Sequence, residues 1–248
     1  MSTLDERRER ASAGVALTHD ADGWYGDFAR PRVYLQPIAA PSVLGLFGFA
    51  GATFIVAANM AGWYGNASTP GYLFPFAAFF GGLAQFIAGM WAYRARDGLA
   101  TAMHGTWGAF WLSYGLLNLL VVTGALKVPT GAFVALGYWF IVLAAITWAG
   151  AAAAVYESVA LTGVLTLLAA GSTFAAIGYS LGQHWAETTA GWLFVCSAIV
   201  AWYVATAMML QGVRGRVVLP VGKREPLGAP APGLIQFRSG EPGVRHGQ

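Results

Sequence analysis

The chain has 248 residues, 57% of them hydrophobic and only 10% charged, against roughly 25% charged in soluble domains. That deficit excludes an ordinary soluble fold and predicts an all-α protein that crosses a membrane several times. The formal charge of +3 does not point to nucleic acid, because the basic residues sit in tails and loops, where they act as topology signals.

Residues 1–37 are polar and carry a mixed charge cluster from Asp5 to Arg10, so they read as a largely disordered N-terminal tail. Polar sequence precedes the first apolar segment, and no cleavable leader is expected. Residues 38–212 then hold six apolar segments, each near the roughly 20 residues that a spanning helix needs. They are predicted at Pro41–Ala61, Tyr72–Tyr93, Leu99–Val122, Thr130–Tyr156, Val159–Gly182 and Thr189–Leu210. Only Glu157 and Ser158 mark the turn between the fourth and fifth. Pro75 falls in the first turn of the second, where its missing N–H costs little. Residues 213–248 form a basic, Pro/Gly-rich C-terminal tail. The lone cysteine, Cys196, lies in an apolar run and offers no disulfide framework.

Placing both termini in the cytoplasm leaves Lys127 as the only outside residue among the 14 Lys and Arg. The expected arrangement is therefore a six-helix bundle with both ends inside, in a plasma or inner cell membrane. Within the third segment, His104, Trp107, Trp111, Tyr114 and Asn118 fall along one helix face. Gly105, Gly108 and Gly115 form a neighbouring stripe that lets another helix come close. An aromatic edge beside a smooth edge suits a bundle enclosing a narrow path; the plainer reading is packing alone. Segments one, three and five share runs of Gly, aromatic and hydroxyl residues, while two, four and six are bulkier. This predicts odd helices around an axis and even helices toward lipid or neighbours.

The missing chemistry narrows function further. Asp97 and Glu157 fall in inner turns and Glu187 in the last outer loop, and no Lys, Arg, Asp or Glu lies deep in a span. A mid-membrane charge costs about 2.5 to 3.5 kcal/mol even on the lenient insertion scale. A retinal Schiff base or an embedded carboxylate relay therefore has no residue to carry it. His19, His104, His184 and His246 are widely separated, so neither a metal site nor a cofactor is expected. No nucleophile–base pair is evident, and an enzyme is not expected. His104, near the inner mouth of helix three, reads either as a proton-sensitive gate or as an interfacial histidine. What remains is a corridor without fixed charges. Stripping an ion of water there costs on the order of tens of kcal/mol without replacement partners. Small weak acids and small amides both suit such a lining.

The segment Ala40-Pro41-Ser42-Val43-Leu44-Gly45-Leu46, followed by Gly48-Phe49, resembles the Asn-Pro-Ala-Pro-Leu-Gly-Leu signature of the acetate uptake transporters, or succinate–acetate permeases. The run from Phe80 to Trp91, the run from Gly108 to Ser113, Ala190-Gly191-Trp192 and Leu219-Pro220-Val221-Gly222 extend the likeness from about Pro37 to Gly222. The resemblance implies six spans per subunit, a homo-hexamer with a pore through each protomer, and uptake of acetate-like carboxylates coupled to protons. It implies a constriction at Phe49, Trp107 and Leu168. The path is expected to run along Pro41, Leu44, Gly45, Leu46, Thr53, Gln85, Trp111, Tyr114 and Thr166. The chain departs from the family at Ala40 for the signature asparagine, Val43 for the second proline, and Trp107 for the usual tyrosine. Three functions follow: a monocarboxylate transporter or channel, a channel for urea, amides or other small neutral solutes, and a non-transporting membrane sensor or scaffold.

Overall fold

The computed structural model describes residues 38–127 and 132–224. The expected tail disorder, His19, His246 and the start of a helix at Thr130 lie outside the described residues. The chain divides into Met1–Ile38 and Ala39–Gln248, and every helix below belongs to the second part. The helices are α1 (Pro41–Met60), α2 (Pro70–Ala95), α3 (Gly98–Val122), α4 (Val134–Ala154), α5 (Val159–Leu181) and α6 (His184–Arg214), all six long and apolar enough to cross a membrane. The molecule is an all-helical, multi-pass membrane protein.

Local chemistry sets the helix ends. Pro41 opens α1, and Ala40 supplies no side-chain cap, as the absent asparagine leads one to expect. Asp97 Oδ1 accepts from the Ala100 N–H at 2.8 Å and starts α3. Ser158 Oγ accepts from the Leu161 N–H at 3.2 Å and starts α5. Left-handed residues stop α5 at Gly182 (φ 63°) and α6 at Gly215 (φ 66°), where glycine carries no Cβ penalty.

Three boundaries differ from expectation. Helix α6 begins at His184, so His184 and Glu187 occupy its first turn rather than a loop; an acidic residue there is favoured by the helix dipole. Helix α2 begins at Pro70, which places Pro75 inside it and leaves the Gly71 carbonyl without its usual donor. The next stretch, Ala77–Ala84, is π-helical before α geometry resumes at Gln85–Ala95. Finally, the chain after α6 is not all tail. Val159 N–H donates to the Gly222 carbonyl at 3.0 Å and Ala160 N–H to that of Val221 at 3.1 Å. Tyr203 Oη donates to the Pro220 carbonyl at 2.7 Å. The Leu219–Gly222 turn thus fills two of the four open donors at the start of α5.

Helices in lipid gain little from the hydrophobic effect and associate through close packing of small residues. The glycine stripe of α3 meets α2 in this way. A Cβ at Gly89 would lie 2.6 Å from the Gly105 nitrogen, and one at Gly108 would lie 2.6 Å from the Phe86 nitrogen. A Cβ at Gly191 of α6 would lie 2.6 Å from the Ala61 nitrogen just past α1. Large apolar side chains such as Tyr72, Phe76, Phe79, Tyr138 and Trp202 cover the outside, a surface matched to lipid.

Two glycine substitutions separate packing from propensity. Gly89→Leu drives side-chain atoms into the α3 backbone and is expected to cost roughly 1–3 kcal/mol or more. Gly163, with nothing near its missing Cβ, is expected to gain roughly 0.5–1 kcal/mol as Gly163→Ala. Thermal unfolding in detergent, followed by size-exclusion chromatography, checks both; equal midpoints would contradict the packing account.

Candidate functional site

Two cavities lie end to end in the bundle. The first, of about 720 Å³, opens where α1, α3 and α5 start and α6 ends, and Leu46, Gln85, Met103, His104, Leu165 and Met208 help line it. The second, of about 810 Å³, opens at the opposite end, with Thr53, Tyr64, Trp111, Tyr114, Phe140 and Phe194 in its wall. Trp107 and Leu168 line both. Phe49 joins them from the side of the first cavity. The three are 3% (Phe49), 2% (Trp107) and 2% (Leu168) exposed. Phe49 and Trp107 meet edge to face with centroids 6.3 Å apart, a favoured aromatic geometry.

The remaining expected path residues divide. Leu46, Gln85 and His104 reach the first cavity, and Thr53, Trp111 and Tyr114 the second. Gly45 is buried but lines neither, because the His104 ring covers the place of its missing Cβ. Pro41 also lines neither; its neighbours Ala40 and Ser42 do. Leu44, 46% exposed, and Thr166, also exposed, point out of the bundle, which corrects their expected place on the path. On each helix the turn that carries them rotates Leu46 or Leu168 inward instead. His104 is buried within the bundle, 5% exposed.

The division into odd lining helices and even lipid helices also fails. Gln85 of α2, Val204 and Met208 of α6, and Phe140 of α4 all line a cavity. Three helices can pinch a neck, but enclosing a chamber hundreds of cubic ångströms in volume requires the others. Phe194 was missed for this reason; its centroid is 6.5 Å from that of Trp107. The signal was present in the buried small residues Ala190, Ser197, Ala201 and Ala205, which mark the inward face of α6.

Several polar atoms in these walls are buried with no partner within the described protein: Thr53 Oγ1, Gln85 Oε1, His104 Nδ1 and Trp111 Nε1. Unpaired buried donors and acceptors are costly, so local rearrangement that brings water or a polar solute to them is favoured. Charges are confined to the mouths. Asp97, Glu157 and Lys223 line the first cavity and His184 and Glu187 the second. Burial pushes the Glu157 carboxyl above its ordinary range, and the neighbouring Asp97 charge adds to the shift.

Comparison with known proteins bears on this arrangement. The sequence model of the GPR1/FUN34/yaaH family matches residues 28–223. The chain is 28% identical over 191 residues to the succinate-acetate/proton symporter SatP of Escherichia coli K12, a match covering 75% of this chain and 96% of that one. It is also 28% identical over 189 residues to ammonia transport outward protein 2 of Saccharomyces cerevisiae, covering 74% and 67%. The solved structure of the bacterial acetate channel SatP superposes with a TM-score of 0.69 at 25% identity, covering 75% of this chain and all of that one.

The pair of carboxylates at the first mouth yields a pH prediction. A raised folded-state pKa means that ionising Glu157 costs stability, so its contribution is best in acid and declines as pH rises through the window above the ordinary carboxylate value. Asp97→Asn keeps a cap oxygen for Ala100 but removes the charge, and the Glu157 titration followed by carboxyl-carbon NMR should move down. Glu157→Gln should raise the melting temperature more at neutral than at acidic pH. An unmoved titration would refute the coupling.

Proposed function

Because the chain belongs to the GPR1/FUN34/yaaH family, we propose that it carries acetate and similar short-chain monocarboxylates across the cell membrane through its two cavities and the neck between them. The observation that carries this reading is that Trp107 and Leu168 belong to both walls. A solute passing from one cavity to the other must pass these side chains. The printed names of the SatP relatives, a symporter and an acetate channel, supply the substrate class.

Glu187 disfavours a bare anion at the second entrance, and acidic conditions weaken that barrier, whereas at the first Asp97 and Glu157 share the mouth with Lys223. Inside, the solute meets no fixed charge among the described wall residues between the mouths, and the polar side chains flanking the neck are few: Gln85 and His104 before it, Thr53 and Trp111 after it. Such sparse groups bind weakly, which throughput requires. At the neck, Phe49, Trp107 and Leu168 offer apolar surface, where a carboxylate loses its water at a high cost and the protonated acid at a lower one. Transport is therefore proton-linked in this reading, with His104 placed to exchange a proton one helical turn before the neck. Both termini face the cytoplasm, which follows from the basic residues Arg94, Arg96, Arg214, Arg216, Lys223 and Arg224 at the end of the first cavity. The outward aromatic residues of α2 suit assembly as a homo-hexamer in the bilayer.

A second reading is favoured by the uncharged neck and by the name of the yeast relative: passage of small neutral solutes, ammonia or amides. Proteoliposomes separate the two. Labelled acetate should enter faster than into empty vesicles, and faster at acidic pH. Uptake of ammonia or urea without acetate would support the second reading, and no uptake of any solute would reject both. Trp107→Ala should raise flux and reduce the preference for acetate over butyrate by roughly tenfold, the scale on which apolar sites discriminate methylene groups. A folded variant with unchanged preference would reduce Trp107 to packing.

A further inference from the structure

The two tryptophans of the pathway are not equivalent. Trp111 Nε1 is buried without a partner. Trp107 Nε1–H, one turn earlier, donates to Thr147 Oγ1 at 3.1 Å, across from α3 to α4. Thr147 is fully buried and Trp107 is 2% exposed. The threonine hydroxyl directs its own proton to the Leu143 carbonyl, 2.6 Å away on the same helix. It therefore presents only lone pairs to the indole, and an indole nitrogen can only donate. The hydrogen bond has one polarity and one geometry, which fixes the indole about its long axis. The aromatic neighbours do not replace this restraint: Phe49, Phe110 and Phe194 meet the Trp107 ring edge to face at 6.3, 5.3 and 6.5 Å, a favoured packing that supplies no acceptor for the indole N–H.

Resting on the neck proposed above, we propose that Thr147 is a positioning residue that sets the width and dryness of that neck by holding the Trp107 indole. Thr147 lines neither cavity and acts through Trp107 alone. With its N–H occupied, the indole cannot bind a passing carboxyl group. The neck then discriminates by size, while hydrogen bonding is left to the groups on either side. Removing the hydroxyl orphans a buried N–H, an unfavourable state. Acceptors open to a turning ring include water and solute in the two cavities, which Trp107 lines. The ring therefore turns, the opening changes shape, and the neck gains a donor.

The test uses the full chain in proteoliposomes with labelled acetate and butyrate, and indole nitrogen–proton NMR of the same variants. Thr147→Val preserves shape and removes the acceptor; it should change the butyrate-to-acetate uptake ratio by about fivefold, the factor one hydrogen bond is worth, and shift the Trp107 indole resonance. Thr147→Ser keeps the acceptor and should behave as the parent. In a Trp107→Phe background, Thr147→Val should have no further effect on the ratio. Thr147→Ala provides the same comparison where the valine variant does not fold. An unmoved resonance, serine and valine variants that behave alike, or a valine effect that persists without the indole would each overturn the assignment. A shifted resonance with ratios unchanged in both Thr147→Val and Trp107→Ala would overturn the neck itself. An unmoved resonance with an altered ratio in Trp107→Ala would overturn the role of Thr147 alone.

Discussion

The near-contact of α2 and α3 is the constraint from which the interior follows. Gly89 faces the backbone at Gly105, and Gly108 faces the backbone at Phe86. Neither approach admits a side chain, and in lipid such contacts replace the hydrophobic effect as the source of association. They also fix the rotation of α3. With its glycine stripe against α2, the adjacent face carrying His104, Trp107, Trp111 and Tyr114 has to look into the bundle. The aromatic interior is thus a consequence of where the small residues are.

Around that helix the interior is graded in polarity. Ionisable groups stand at the two mouths, single unpaired hydrogen-bonding atoms lie deeper, and rings and leucine occupy the middle. Each step inward removes a stronger interaction with water. In the proposed function, a bundle built in this order disfavours ions chiefly through desolvation, which is consistent with a sequence that keeps its spans free of acids and bases.

The turn after α6 adds a second tie between distant parts of the chain. Through the Val221 and Gly222 carbonyls it completes the first turn of α5, the helix that brings Leu168 to the wall shared by the two cavities. Ser197 of α6 donates to the Val164 carbonyl at 2.8 Å, one turn before Leu168. The position of that leucine is therefore held by hydrogen bonds from two sides as well as by packing.

Sequence alone determined the class, the six spans, the turn at Glu157 and Ser158, and the family, because segment length, apolar content and ordered motifs are properties of the chain itself. Helical periodicity also identified the α3 face and its glycine edge. It could not reveal the π-helical stretch in α2, since Pro75 and paired glycines are compatible with several backbone courses. Nor could it identify Thr147 as the partner of Trp107 or Phe194 as a wall residue, because those lie on helices that meet α3 only in space. Leu44 and Thr166 were misplaced for the same reason. Which way a residue points depends on the rotation of its helix, and that rotation is decided by the close approach of neighbouring backbones, a relation between segments that no single segment encodes.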